Sequence, residues 1–265
     1  MRARLAALAA LAALAGCGDS RAAVEPTATA APVMRFEVGE GARGGVVLRP
    51  ARPGRLPVVV FLHGYQAIDP ENFAAWLDHL ARRGNVVVYP RYQDPDTAPA
   101  RFLGNALPAI RAGLALTPVD RGSLVVAGHS AGGALSSDYA AIAAAARLPR
   151  PVAVFAAQPG RYLGIPQRIP RVDPRRIDPR TRLLVLAGDD DGVVGTAEAR
   201  RAVRLATRVP ASRRRFVLVR HPEADDHGSP LRTDAAARRF YWAPLDRLLA
   251  DVRRWRPGSS ASTRR

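Results

Sequence analysis

A serine lies between two glycines near the middle of the chain. Residues 124–133 read LVVAGHSAGG and contain the pattern Gly-x-Ser-x-Gly, with Ser130 at its centre and Gly128 and Gly132 on either side. An apolar strand, a tight turn and an Ala-rich helix in this order would leave the serine hydroxyl at the start of the helix, where free N–H groups favour a developing negative charge. A serine in this position can attack a carbonyl carbon once a base accepts its proton.

Candidates for that base, and for an acid to orient it, follow two later apolar runs that we predict to be strands, at 183–187 and 216–219. The carboxyl ends of parallel strands meet at one edge of a sheet, so side chains that follow these strands can converge on Ser130. The candidates in chain order are Asp189, Asp190, Asp191, His221 and His227. A serine, a histidine and an acid are the three groups of a nucleophilic triad.

The serine pattern, together with the order Ser, Asp, His along the chain, resembles the α/β-hydrolase family. The resemblance covers residues 57–254 and implies an α/β fold, a mostly parallel sheet flanked by helices on both faces. It implies Asp191 as the acid because the family's frame of Gly, two free positions, Asp, one free position and Val fits Gly188, Asp191 and Val193. Asp190 is the alternative acid, although a role in the turn suits both Asp189 and Asp190 better.

The base is predicted to be His227, which stands in a His-Gly step a few residues beyond the last strand, as in the family. His221 is the alternative. It follows the strand directly and precedes Pro222, which restricts it to extended geometry close to the sheet. His227 has a polar loop before it and Gly228 after it, so its side chain can reach across to Ser130.

The run His63-Gly64-Tyr65 resembles the oxyanion loop of the same family. The resemblance implies that the backbone N–H groups of Tyr65 and Ala131 form the oxyanion hole. His63 belongs to this loop, and we expect it to hold the loop by a hydrogen bond. We interpret His79 and His129 as structural.

The elements that would position these residues alternate between strand and helix after Pro50, which is typical of a parallel sheet covered on both faces. Runs at 34–38 and 45–48 predict an antiparallel entry to the sheet. The later predicted strands are 58–62, 86–89, 124–127, 152–156, 183–187 and 216–219. The predicted helices are 70–82, 99–116, 133–147, 195–208 and 233–255, the last interrupted by Pro244. The Pro- and Arg-rich segment 158–180 is predicted to be a short lid loop over the strand ends.

The composition limits the possible partners. The 265 residues carry a formal net charge of +17, and all 40 basic residues are arginine. These arginines are scattered, with no recognisable nucleic-acid module, so we predict no nucleic-acid partner. Segment 158–180 holds several of them, which we interpret as solvated; the alternative is that they favour anionic esters. They are Arg161, Arg168, Arg171, Arg175, Arg176 and Arg180.

The N-terminal residues resemble a bacterial lipoprotein signal. Arg2 and Arg4 precede a short apolar run that is followed by Leu14-Ala15-Gly16-Cys17. We therefore predict a signal peptide at 1–16, lipidation of Cys17, a tether at 17–33, the α/β-hydrolase domain at 34–256 and a disordered tail at 257–265. The expected location is the bacterial cell envelope, with a lipid anchor in the membrane; plain secretion is the alternative.

The predicted function is hydrolysis of a small or polymeric carboxylic ester through an acyl-enzyme, carried out by a monomer. No cofactor and no metal are expected, because the mature domain has no Cys and its His residues are not spaced as ligands. The alternatives are an acyltransferase, a peptidase or a non-catalytic envelope binding protein. Residues 79–84 with Tyr89-Pro90 resemble the cutinase-like polyesterases and chlorophyllases. The chain lacks both the His-Gly-Gly-Gly of other esterases and the Cys nucleophile of dienelactone hydrolases.

Overall fold

A computed structural model describes residues 32–162 and 164–254 of the chain. The predicted signal peptide, Cys17 and the tail at 257–265 lie outside the described residues, as does nearly all of the predicted tether. The first described strand begins at Val33, one residue before the predicted start of the domain.

Eight strands form one sheet in the order β1-β2-β4-β3-β5-β6-β7-β8. β1 pairs antiparallel with β2, β2 pairs antiparallel with β4, and the remaining neighbours are parallel. The strands are β1 Val33–Val38, β2 Gly45–Pro50, β3 Leu56–Leu62, β4 Val86–Pro90, β5 Val119–His129, β6 Ala153–Ala157, β7 Arg182–Gly188 and β8 Arg214–Val219. The predicted mostly parallel sheet with an antiparallel entry is confirmed.

Helices cover both faces of the sheet, as predicted. α1 and α6 share one hydrophobic cluster with the sheet, whereas α2, α3 and α4 pack on the other face. The helices are α1 Ala74–Arg82, α2 Phe102–Leu116, α3 Ala131–Ile142, α4 Ala197–Leu205, α5 Ala235–Ala237 and α6 Ala243–Arg254. Within the described residues, none of them is long and apolar enough to cross a membrane.

The central strands β3, β4 and β6 consist of apolar and aromatic residues because both of their faces are buried. In β3, Val59 and Phe61 face the α1 side, and Val58 and Val60 face the α2 side. On the α1 side, aromatic rings join the layers. The ring of Trp76 lies edge-on to Phe61, with centroids 5.3 Å apart, and stacks on Trp242, with centroids 5.9 Å apart. These contacts fix the last helical segment against the sheet.

Pro244 interrupts the last helical segment in the way that its missing N–H requires. The helix predicted for 233–255, with its interruption at Pro244, consists of α5, a π-helical turn at Arg238–Trp242 and α6, with Pro244 as the second residue of α6. A π turn widens the helix, and it is frequent beside functional sites. Here it carries Tyr241, whose hydroxyl reaches the loop after β8.

The segment predicted as a lid is anchored to the body by Arg161, which is 7% exposed. Its guanidinium makes a bidentate pair with Asp138 of α3, with both N–O distances 2.8 Å, and its Nε donates to Glu198 of α4 at 2.5 Å. Arg171 reaches the same glutamate from the surface. The interpretation of Arg161 as a solvated arginine is wrong, and so is its alternative role in recognising anionic esters, because two carboxylates of the protein occupy the guanidinium.

Replacing Arg161 with Leu is expected to lower the free energy of unfolding by about 3–5 kcal/mol, because it leaves the Asp138 carboxylate buried without its partner. Arg171→Leu is the matched control. Its side chain is 51% exposed although it binds the same Glu198, so the loss should stay below about 1 kcal/mol. Urea unfolding measures the free energy of unfolding of both variants. Equal losses in the two variants would refute the assignment of Arg161 as the anchor.

Candidate active site

Ser130 lies at a sharp turn between β5 and α3. Its backbone angles, a φ of 55° and a ψ of −121°, lie in a region that residues other than glycine rarely adopt. The neighbouring glycines permit this conformation by close packing. A Cβ on Gly132 would lie 2.0 Å from the carbonyl oxygen of Leu62, and one on Gly128 would lie 2.4 Å from that of Gly132. No side chain fits at either position, so the pattern around Ser130 is a requirement of packing.

The structure brings together Ser130, His227 and Asp191. His227 Nε2 lies 3.0 Å from Ser130 Oγ, and His227 Nδ1 lies 2.9 Å from Asp191 Oδ2. With Nδ1–H donating to the carboxylate, Nε2 is left as the acceptor for the serine hydroxyl. The three groups therefore form one chain of hydrogen bonds from nucleophile to base to acid.

Asp191 is held as a carboxylate by its surroundings. Burial alone would raise its pKa, but hydrogen bonds from His227 and from the amides of Val194 and Val193 outweigh that effect and lower the pKa. Both amides donate to Oδ1 at 3.0 Å, which leaves Oδ2 for the imidazole. A fixed negative charge beside Nδ1 favours the imidazolium that forms when His227 accepts a proton.

The alternative acid and base lie elsewhere. Asp190 is exposed on the turn after β7. Asp189 pairs with Arg220 at 3.2 Å. His221 is half-buried, and its ring packs against Phe240 with centroids 4.9 Å apart. The structure thus brings His227, and not His221, to Ser130.

The two predicted oxyanion donors come from elements that border Ser130. The N–H of Ala131 is the first amide of α3, so no carbonyl of the helix accepts from it. Tyr65 follows β3, and within the described residues its N–H donates no hydrogen bond. Gly64, which precedes Tyr65, borders Ser130: a Cβ at Gly64 would lie 3.5 Å from Ser130 Cβ, an ordinary contact distance.

The loop that carries Tyr65 is held by side chains from the end of β4. Gln93 accepts from the N–H of Gln66 at 2.9 Å, and the Tyr92 hydroxyl donates to the carbonyl of His63. The His63 ring is buried and stacks on Tyr92. Its Nε2 lies 2.5 Å from the carbonyl oxygen of Arg91. Burial lowers the pKa of His63 to about 4, although two backbone contacts oppose the shift. His63 therefore holds this loop as a neutral ring.

The loop that carries His227 is held from beneath by Gln158, which follows β6 with a φ of 46°. Gln158 Nε2 donates to the carbonyl of Asp226 at 2.7 Å and to the hydroxyl of Tyr241 at 2.9 Å. Tyr241 in turn donates to the carbonyl of Ala224 at 2.7 Å. Burial raises the pKa of Tyr241, which keeps its hydroxyl protonated.

His129, next to the serine, supports the same loop. Its Nε2 donates to the carbonyl of His227 at 3.0 Å. Burial, and to a smaller extent the nearby His227, lower the pKa of His129 to about 3, so the ring is neutral at pH 7. On the far side of the loop, the Asp226 carboxylate accepts from Ser229 and Arg232. The backbone around His227 is therefore fixed from both sides.

Sequence reasoning missed Gln93, Gln158 and Tyr241. None of the three is an acid or a histidine, the residue types expected to act with Ser130. Gln93 and Gln158 also follow strands, β4 and β6, at the same edge of the sheet. A glutamine within three positions of the end of a parallel strand was the available signal, whereas nothing in the sequence indicated that Tyr241 would reach this edge.

The described residues contain no group of three or more His, Cys, Asp or Glu side chains arranged to hold a metal ion. The polar side chains at the site bind one another and the backbone. The chemistry that this arrangement can perform is nucleophilic attack by a serine assisted by an imidazole.

Solved structures with the same fold include hydrolases of several kinds. A putative dienelactone hydrolase from Klebsiella pneumoniae subsp. pneumoniae is 20% identical, with a TM-score of 0.60 over 84% of this chain and 100% of that one. An esterase from Rhizomucor miehei is 15% identical, with a TM-score of 0.63 over 84% of each chain. The acylaminoacyl peptidase of Pyrococcus horikoshii is 14% identical, with a TM-score of 0.63 over 85% of this chain and 42% of that one.

These structures show that the chain has the α/β-hydrolase fold, as the sequence predicted. No protein-family model matches the chain, and no curated protein matches it in sequence. The likeness to the cutinase-like branch remains a prediction from residues 79–84.

Gln158→Asn is expected to slow the reaction of Ser130 with a fluorophosphonate by about tenfold. Asn tolerates a positive φ, but its shorter side chain cannot reach Asp226 and Tyr241, so the His227 loop loses a donor beneath it. Gln167→Asn, at an exposed position in the following segment, is the matched control. Labelling rates and thermal unfolding are measured together. A labelling rate equal to that of the control would contradict the role given to Gln158.

Proposed function

We propose that this protein is a serine hydrolase that cleaves a carboxylic ester through an acyl-enzyme. The observation that carries the proposal is the continuous hydrogen-bonded chain from Ser130 through His227 to Asp191. A purely structural turn would not need a serine, a histidine and an acid in this order and at these distances.

In the proposed mechanism, Ser130 Oγ attacks the ester carbonyl carbon while His227 Nε2 accepts its proton. The carbonyl oxygen becomes an oxyanion, which the N–H groups of Ala131 and Tyr65 stabilise. His227 then returns the proton to the leaving alcohol, and the acyl group remains on Ser130. His227 then accepts a proton from water as the water attacks the acyl-enzyme. The carboxylic acid product is released, and Ser130 recovers its proton. Asp191 keeps the imidazole in the required tautomer throughout.

An ester is the proposed substrate because the sequence resemblance points to esterases, and esterases are among the proteins of similar fold. Peptide cleavage and acyl transfer use the same three residues, so they are the alternatives within this site. The peptidase of similar fold is a longer protein, of which this chain matches 42%. The intact triad geometry supports catalysis over a binding role without catalysis.

Ser130→Ala is expected to abolish both fluorophosphonate labelling and the hydrolysis of nitrophenyl acetate. Ser137→Ala is the matched control, because that hydroxyl is buried in the same helix and has no hydrogen-bond partner among the described residues. His227→Ala should lower turnover by about 10⁴-fold, whereas His221→Ala should change it little.

Three results would count against parts of this proposal. Labelling that survives Ser130→Ala would remove it altogether. Faster cleavage of an alanine nitroanilide than of the matched ester would indicate a peptidase. Formation of a new ester in place of free acid when an alcohol is added would indicate an acyltransferase.

We further propose that the protein is anchored in the bacterial envelope through Cys17. The support is the sequence alone, namely the charged and apolar N-terminal run followed by Leu-Ala-Gly-Cys. Several acyl chains on one residue give stable membrane binding where one chain does not. Mass spectrometry of the mature protein should find a lipidated N-terminal Cys17, and Cys17→Ser should release the protein from the membrane fraction. An unmodified N-terminus would mean plain secretion.

A further inference from the structure

A groove of about 640 Å³ runs beside β7 and β8, on the α1 and α6 face of the sheet. Its floor is made by side chains that alternate along the two strands, and it is closed on one side by the last helical segment. The apolar residues that line it include Leu184, Leu186, Val217, Val219, Phe240 and Leu248. The volume is within the range of sites that hold a small organic ligand.

The floor is open because α6 does not extend over the last two strands. α6 packs against β5 and β6, while α4 covers β7 and β8 only from the opposite face. Leu184 and Val217 are therefore only half-buried, although they pack against the same core as α1. β8 is also the last strand of the sheet, so the groove borders a free edge.

The rim of the groove is strongly basic. Six arginines line it, and Asp251 is the one acid among the described lining residues. That aspartate already lies within 3.9 Å of Arg182. Arg215 and Arg247 are exposed and have no ion-pair partner within the described residues. The remaining arginines on the rim are Arg213, Arg220 and Arg239.

An apolar floor with guanidinium groups on its rim fits a ligand that is apolar along its length and anionic at one end. A second copy of the chain would bring one basic rim against another, and the C-terminal residues 255–265 carry arginines and no acid. A flat bilayer surface would meet the rim before the recessed floor. Six residues of β8 span about 20 Å, which is long enough for one extended alkyl chain.

We propose that this groove binds a long-chain fatty acid. The alkyl chain lies along Leu184, Val217 and Phe240, and the carboxylate pairs with the guanidinium groups of Arg239 and Arg247 at the rim. Arginine suits this contact because its planar fork donates two parallel hydrogen bonds to one carboxylate. The binding is non-covalent and does not involve Ser130.

The test is calorimetric titration of the full chain with laurate below its micelle concentration. The double variant Arg239→Gln/Arg247→Gln should raise the dissociation constant at least about tenfold. The matched control Arg176→Gln/Arg208→Gln removes the same charge from another cavity, whose floor is alanine, and should leave laurate binding unchanged.

A second variant tests the apolar floor. Val217→Trp fills the floor without changing the charge, and it should abolish laurate binding. Thermal unfolding checks that each variant folds.

Two further ligands test whether both the alkyl chain and the charge are needed. Acetate and dodecyl maltoside, which lack the chain and the charge respectively, should bind at least about tenfold more weakly than laurate. Equal laurate binding by the groove and control variants would show that only net charge, or another site, is involved, and would overturn the proposal. If the protein binds vesicles of phosphatidylglycerol but does not bind laurate, the proposal is also overturned, and the groove is then a membrane contact. Neither result bears on hydrolysis at Ser130.

Discussion

The site depends on one backbone constraint, the forced conformation of Ser130 between β5 and α3. A residue held in a sparsely populated region of φ and ψ costs about 1–3 kcal/mol and persists only where the surrounding structure determines it. Here the surroundings are the carbonyl groups of Leu62 and Gly132, which press against Gly132 and Gly128 so closely that neither could carry a methyl group. The central strands are buried on both faces, so this packing cannot relax. The strain is thereby maintained, and the hydroxyl stays at the helix start.

The other parts of the site reach Ser130 by loops, and the protein fixes each loop with side chains that take no part in the proposed chemistry. Gln93 and Tyr92 hold the loop of Tyr65, while Gln158 and His129 hold the backbone beside His227. These groups are neutral and buried, so they act by geometry and not by charge. Preorganised groups of this kind need no reorganisation when charge develops on a bound carbonyl oxygen.

Much of this arrangement could be predicted from the sequence because it depends on local patterns. Apolar runs of strand length predicted all eight strands, and strand order along the chain predicted which loops meet at Ser130. Family spacing favoured Asp191 over its neighbours, and Pro222 counted against His221 as the base. The structure places Asp191 and His227 at Ser130. The end of α3 was placed too late, since the Ala-rich run continues through turns to Arg147, where a φ of 54° ends it.

The features that could not be predicted depend on contacts between residues that are far apart in the sequence. Arg161 looked like any other arginine of a basic chain, and only the fold shows two carboxylates from α3 and α4 around it. Gln158 and Tyr241 are 83 positions apart, and no periodicity relates them. The uncovered strip of β7 and β8 results from the position of α6, which propensity alone does not determine.

The π turn before Pro244 has a consequence for the helical register. An α-helix turns through about 100° per residue, so one extra residue in a turn rotates the preceding residues by that angle relative to the later ones. α6 presents Leu245 and Leu249 to the sheet. Before it, Trp242 stacks on Trp76, and Tyr241, which packs in the same cluster, extends its hydroxyl to the loop that leads to His227. Deleting one residue from the turn would restore a regular helix and swing Tyr241 away from that loop. The irregular turn thus acts as a phase shift that lets one helical segment serve both the core and the site.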